Sequence, residues 1–135
     1  MRLVIVGPGA IGSLLAARIS LYQAAGAAGA SAGGLDLCLL DYRPARAQFL
    51  AGHGLFLEEG GRTSRYFPAV SADPADCCPE ADILMICVKA TAFSAALGRI
   101  RPFLSPEKIV LAMQNGIAHL QELQSLSCLH GAATT

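Results

Sequence analysis

Three stretches of this 135-residue sequence carry residue types and spacings suited to chemistry. The first is Gly7-Pro8-Gly9-Ala10-Ile11-Gly12, a G-x-G-x-x-G pattern placed directly after the run RLVIV and opening an apolar segment with helical spacing. In that place the first glycine permits a tight turn. The second lets the backbone approach a pyrophosphate, and the third allows the helix to pack closely on the strand. Free N–H groups and the positive end of the helix dipole then face the phosphates. A glycine turn without a ligand is the bland alternative, and the position at the start of a strand–helix–strand chain argues against it.

The second stretch is ADILMICVKATAF, where an unbroken apolar run, residues 83–88, meets Lys89. Ammonium groups avoid apolar strand ends unless something there wants a positive charge. The third is Gln114-Asn115-Gly116. Asn-Gly favours a type I′ hairpin turn, but Ile117, Leu120 and Leu123 follow with helical spacing, which favours strand–turn–helix instead.

Where a residue reading the adenosine ribose should close the second strand, two candidates compete. Asp41 would bind a ribose 2′-hydroxyl and favour NAD; Arg43 would bind a 2′-phosphate and favour NADP. Asp41 lies farther beyond Gly12 than the usual spacing of about 20 residues. The Ala/Gly/Ser-rich segment 24–34, expected as a flexible surface loop, absorbs the excess. For either residue, a solvated loop charge is the plain alternative.

Other constellations carry less. His53, His119 and His130 have neither metal-like nor triad spacing, and surface or cap roles are expected for them. Glu58 and Glu59 are adjacent in a strand pattern, so their carboxylates point to opposite faces and cannot share acid–base work. Ser13 opens a helix and has neither a base nor a nucleophile elbow.

These residues need elements to position them. The pattern predicts strands at 2–6, 35–40, 82–89, 109–113 and 128–132, with helices at 11–22, from Pro44 to near Gly52, 91–104 and 117–126. The spacing in the first helix sets Ile11, Leu14, Leu15, Ile19 and Tyr22 on one apolar face. Residues 55–70 read as a hairpin turning at Gly60-Gly61. Strands that are apolar throughout and alternate with helices imply a parallel sheet covered on both faces. The predicted fold is therefore a Rossmann-like doubly wound α/β domain over residues 1–135. Ligands in such a sheet sit beyond the carboxyl ends of the strands, where 7–12, Lys89 and Asn115 all fall.

Composition sets the outer bounds. Apolar residues make up 53% and charged residues 15%, the profile of a folded domain of this length. Ten basic and ten acidic residues cancel without a basic run, so no footprint for nucleic acid or anionic lipid is expected. No stretch approaches the roughly 20 apolar residues that span a membrane, and the apolar start is too short and glycine-broken for a secretory signal. Five cysteines, none in a Cys-x-x-Cys, suggest neither a disulfide framework nor zinc, and a reducing cytoplasm fits them. Cys38 and Cys87 lie in apolar runs and are expected as small buried hydrophobes.

Together, GPGAIG, the VKA of 88–90 and the QNG of 114–116 resemble the N-terminal domain of the ketopantoate reductase (2-dehydropantoate 2-reductase) family. The resemblance runs over nearly the whole chain, including the hairpin after Gly54-Leu55 and the closing HGAATT. It implies an NADPH-dependent reduction of a 2-keto acid on the route to pantothenate and coenzyme A. It places Lys89 beside the cofactor and the keto-acid pocket, and Asn115 in hydrogen-bonding reach of the nicotinamide ribose and substrate. An arginine just past the second strand, here Arg43, favours NADP(H), with NAD(H) the alternative. Asp41 would then turn to solvent or pair with Arg46, one helical turn beyond Arg43. The resemblance also puts the main general acid, a lysine, in a helical C-terminal substrate domain. The 135 residues are accordingly expected to be a cofactor-binding half, a cut fragment or a truncated gene product, that binds cofactor without turnover. A homodimer is among the expected assemblies. Two further readings stay open: a stand-alone, non-catalytic dinucleotide-binding or redox-sensing module, and another hydroxy-acid dehydrogenase of the superfamily.

Overall fold

A computed structural model describes residues 1–26, 34–126 and, for the backbone, 132–134. Its elements in chain order are β1 (Arg2–Val6), α1 (Ala10–Ala24), β2 (Asp36–Leu40), α2 (Pro44–His53), β3 (Leu55–Glu59), β4 (Arg62–Tyr66), β5 (Ala69–Ser71), α3 (Pro74–Cys77), β6 (Ile83–Ile86), α4 (Phe93–Ile100), β7 (Ile109–Ala112), α5 (Leu120–Ser125) and β8 (Ala132–Thr134). Short 3₁₀ turns, Ala90–Ala92 and Arg101–Phe103, flank α4.

Six strands form one sheet in the order β5–β2–β1–β6–β7–β8, and every neighbouring pair is parallel. With the β3–β4 hairpin set aside, this is the doubly wound order 3-2-1-4-5-6. The chain reverses direction across the sheet between β1 and β6, which pair from Leu3↔Ile83 to Val6↔Ile86. A crevice opens at such a switch point because the connections on either side leave toward opposite faces. One face buries Val4, Val6, Leu84 and Ile86 against α4, where Phe93, Ala96, Leu97 and Ile100 recur at helical spacing. The other face buries Leu3, Ile5 and Leu39 with Ala16 and Ala17 of α1 and Leu55 and Leu57 of the hairpin.

Several expectations are corrected. The apolar face of α1 is found in part: Leu15 and Ile19 pack against the core, but Ile11 and Leu14 are 50% and 49% exposed and Tyr22 is exposed, while Gly12, Ala16 and Ala17 are buried. The close approach at Gly12 admits only small residues directly beneath the helix, and Ile11, Leu14 and Tyr22 face outward. The hairpin ends at Tyr66, and residues 69–71 instead join the main sheet as β5 beside β2. Pro68 has no N–H to continue the antiparallel ladder, which frees the chain to change sheets. The long helix expected over 91–104 is helical in its middle only, and Pro102 sits in the 3₁₀ turn that ends it.

Helix α5 begins at Leu120 rather than at residue 117. The short helix α3 was not foreseen; Pro74 opens it, and Asp73 caps it by accepting from the Ala75 N–H at 2.9 Å. The last strand is Ala132–Thr134 rather than 128–132, and 127–131 lie outside the described residues. Most of the expected 24–34 loop, residues 27–33, also lies outside them.

The turn of the β3–β4 hairpin is as read. Gly60 and Gly61 have φ of 57° and 76°, the pair of positive angles that a two-residue I′ turn demands. An Arg18–Glu59 ion pair at 2.8 Å joins the hairpin to α1.

Candidate functional site

The candidate site is a cleft of about 710 Å³ at the switch point. It is lined by residues 7–11 after β1, by Asp41 and Arg43 after β2, by Lys89 after β6 and by Asn115 after β7. The cofactor candidates Gly7, Pro8, Gly9, Ala10, Ile11, Asp41, Arg43, Lys89 and Asn115 thus all line it, and Gly12 lies beneath.

The three glycines do three different things. Gly7 has φ of +91°, a left-handed backbone, and a Cβ there would run into Val88. The loop after β1 and the loop after β6 are thus pressed together, which places Lys89 beside the glycine turn. A Cβ at Gly12 would collide with the Gly7 carbonyl oxygen and lie 3.2 Å from both Cys87 Cβ and Ile5 Cγ2. A Cβ at Gly9 would meet nothing within 4 Å. Gly9 borders open cleft, so its lack of a side chain serves whatever occupies that space.

Gly9 is also the N-cap of α1 and offers no side-chain acceptor, so no side chain covers the first-turn N–H groups. The first helical bond of the turn is Ser13 N–H to Gly9 O at 2.9 Å, and the Ser13 hydroxyl donates to Pro8 O at 3.1 Å. A helix start left uncapped toward a cleft is a ready anion site.

The end of β2 is a small charged network. Asp41 is 1% exposed, and its backbone N–H donates to Ser71 O of β5. Its Oδ1 accepts from the Arg43 N–H at 3.1 Å and lies 3.6 Å from Arg43 Nε. Its Oδ2 lies 3.2 Å from Arg46 Nε, close enough for an ion pair but off the line of a hydrogen bond. Arg46 Nη2 donates in turn to the Pro8 carbonyl oxygen. Of the two outcomes open for Asp41, pairing with Arg46 is the one found. The Arg43 side chain is about half exposed at the cleft.

Lys89 and Asn115 are both exposed, and among the described residues neither side chain has a hydrogen bond or ion pair. Sequence reasoning missed their neighbour Gln114 as a structural part. Gln114 is 7% exposed and donates through Nε2 to Ile86 O at 2.9 Å and Val88 O at 2.8 Å. It fastens the end of β7 to the end of β6, one residue before Lys89, while its Oε1 is buried without a partner among the described residues. The signal available was a polar residue ending an apolar strand, as with Lys89.

Other sequence candidates fall elsewhere. His119 is buried against the Phe93 ring, centroids 5.3 Å apart, and His53 stacks on Phe49 at the surface; His130 lies outside the described residues. Cys38 is buried and Cys87 half-buried beside the cleft. Among the described residues no group of His, Cys, Asp and Glu could hold a metal ion, and no helix is long and apolar enough to cross a membrane.

Comparison with known proteins agrees with this fold. The family described as Ketopantoate reductase PanE/ApbA matches residues 3–133. The chain is 32% identical over 117 residues to a 2-dehydropantoate 2-reductase of Mesorhizobium japonicum, a match covering 87% of this chain and 32% of that protein. It superposes with a TM-score of 0.74 on a PanE/ApbA family ketopantoate reductase from Ralstonia eutropha, at 25% identity, covering 99% of this chain and 40% of the other. On a 2-dehydropantoate 2-reductase from Porphyromonas gingivalis the TM-score is 0.73 at 22% identity, covering 93% and 42%. The chain thus spans about a third of the length of the curated relative and about two fifths of these solved structures. With the family matching nearly end to end, and the doubly wound sheet and its glycine turn in place, the chain belongs to the ketopantoate reductase PanE/ApbA family.

Proposed function

We propose that these residues are the NADP-binding part of an oxidoreductase that reduces a 2-keto acid, 2-dehydropantoate in the first instance, to its 2-hydroxy acid. The observation that supports this most is the opening beside Gly9, which a Cβ would enter without touching protein, at an uncapped helix start. It fits a pyrophosphate. When bound, the nicotinamide cofactor would supply the hydride.

The chain's own residues have distinct roles in this reading. The glycine turn and the first N–H groups of α1 hold the pyrophosphate. Arg43, an always-charged fork, takes the 2′-phosphate. Asp41 is neutralised by Arg46, so it neither repels that phosphate strongly nor offers a free carboxylate to a 2′-hydroxyl. Lys89, an unpaired cation at the cleft, attracts the substrate carboxylate and the cofactor's phosphates. Asn115 orients the nicotinamide ribose and the substrate by hydrogen bonds.

The test has two arms. Fluorescence titration of the 135-residue chain should show NADPH binding, tighter than NADH. Full-length protein should oxidise NADPH with 2-dehydropantoate, with kcat/KM lowered in Lys89→Ala. Absence of dinucleotide binding would overturn the whole reading; binding with another preferred keto acid would overturn the substrate alone.

A further inference from the structure

The cation that reads the far end of the cofactor has a neighbour from another element. Tyr42 directly follows Asp41, and its exposed ring carries two guanidinium groups, Arg43 at 5.7 Å and Arg99 at 5.3 Å from the ring centroid. Arg99 stands in the last turn of α4, the helix that follows β6, so two separate connections converge on this ring. Tyr42 borders both the main cleft and a second recess that Arg99 lines.

The charges around Arg99 are unbalanced. Among the described residues it makes no ion pair or hydrogen bond, only the contact with the ring. The one carboxylate lining its recess, Asp73, is engaged in capping α3. Arg43 at least shares Asp41, at 3.6 Å, but that carboxylate is also committed to Arg46. Two like charges thus share one exposed ring, and an exposed cation–π contact is worth only about 0.5–1 kcal/mol. An anion bound beside the ring would give both cations a partner. A plain alternative also exists, because arginine at a helix C-terminus is favourable to the helix dipole on its own.

We infer that Arg99 is a second specificity-determining cation of the adenosine end, acting with Arg43 and the Tyr42 platform on a 2′-phosphorylated adenosine. This rests on the proposed NADP reading of the same site. A ligand with a 2′-phosphate meets both guanidiniums, whereas one with a free 2′-hydroxyl gives Arg99 no charge to pair with. The preference for the phosphorylated ligand therefore comes from two elements, the β2–α2 turn and the end of α4.

Titration of the wild type, Arg99→Ala, Arg99→Lys and Arg43→Ala with NADPH, NADH, 2′,5′-ADP and 5′-AMP tests this. Loss of a charge-assisted contact should weaken NADPH and 2′,5′-ADP about tenfold in Arg99→Ala. NADH and 5′-AMP should be unchanged, Arg99→Lys should recover part of the loss, and the salt dependence of NADPH binding should flatten. Arg99 is exposed, so NADH binding doubles as a check on folding. If Arg43→Ala is selective for NADPH while Arg99→Ala weakens both dinucleotides equally or neither, the inference is wrong and the NADP reading stands. If the wild type fails to prefer NADPH, both fall together.

Discussion

The buried carboxylate of Asp41 lies 3.2 Å from Arg46 Nε, and Arg46 in turn holds the Pro8 carbonyl of the glycine turn. The end of the second strand is thereby fastened to the glycine turn through one charged pair. That contact pairs Asp41 with Arg46 at the wall of the cleft, while the same carboxylate accepts from the Arg43 N–H.

The pair makes opposite predictions for its neighbours. Arg43→Ala should weaken NADPH by about 1.5–3 kcal/mol, the value of a charge-assisted contact, and leave NADH nearly untouched. Asp41→Ala should instead lower the unfolding free energy by about 1–3 kcal/mol, since it strips a partner from Arg46 and an acceptor from the Arg43 N–H. Paired dinucleotide titrations and urea unfolding separate the two. NADH binding destroyed by Asp41→Ala in a protein of unchanged stability would show that the carboxylate is a ribose ligand.

Two glycines of one motif should fail in different ways. Gly9→Val should abolish dinucleotide binding with thermal stability nearly intact, because its side chain enters the open cleft. Gly12→Ala should destabilise the fold, because its Cβ meets the Gly7 carbonyl oxygen, Cys87 and Ile5. Thermal melts with and without NADPH give both readouts. A Gly9→Val protein that still binds would refute the phosphate-loop assignment.

Gln114 should matter to both stability and binding. Gln114→Leu removes both bonds to the β6 end; Ile86 O keeps the Met113 N–H, but Val88 O loses its Nε2 donor, at about 1–3 kcal/mol. With the strand end loosened, Lys89 loses its fixed origin, and NADPH affinity should fall as well. Amide exchange at residues 87–90 should rise in the variant; exchange there at the wild-type rate would show that the clamp is dispensable.

Alkaline pH should reveal the half-buried thiol beside the cleft. Desolvation pushes Cys87 up to about 11 from its ordinary 9.0. The folded state thus keeps the proton to higher pH than the unfolded chain. This contribution to stability is full below pH 9 and is lost as pH rises through 11. Cys87→Ala should flatten the decline in unfolding free energy between those values. Identical pH profiles for the two proteins would count against a desolvated thiol there.

What the sequence by itself determined was the order of elements and the rim of the site. β-branched and leucine-rich runs alternating with helical spacing admit little besides a parallel sheet covered on both faces. In such a sheet, residues that end strands must share one edge, which is why Gly7, Lys89 and Asn115 could be grouped before any coordinates. The hairpin turn at Gly60-Gly61 was equally legible, because positive φ at two successive residues is a local demand.

Only the tertiary structure decided the rest, because those features depend on what lies opposite. The buried face of α1 was read only in part: Leu15 and Ile19 do pack inward, but the sheet's closeness at Gly12 also selects Ala16 and Ala17. Residues 69–71 left the hairpin for the main sheet because the edge of β2 was free to take them. Gln114 reaches carbonyls more than twenty residues earlier in the chain, and Arg99 meets Tyr42 from another connection. Such contacts are set by the twist and register of the sheet, and no local pattern records which partner a side chain will find across it.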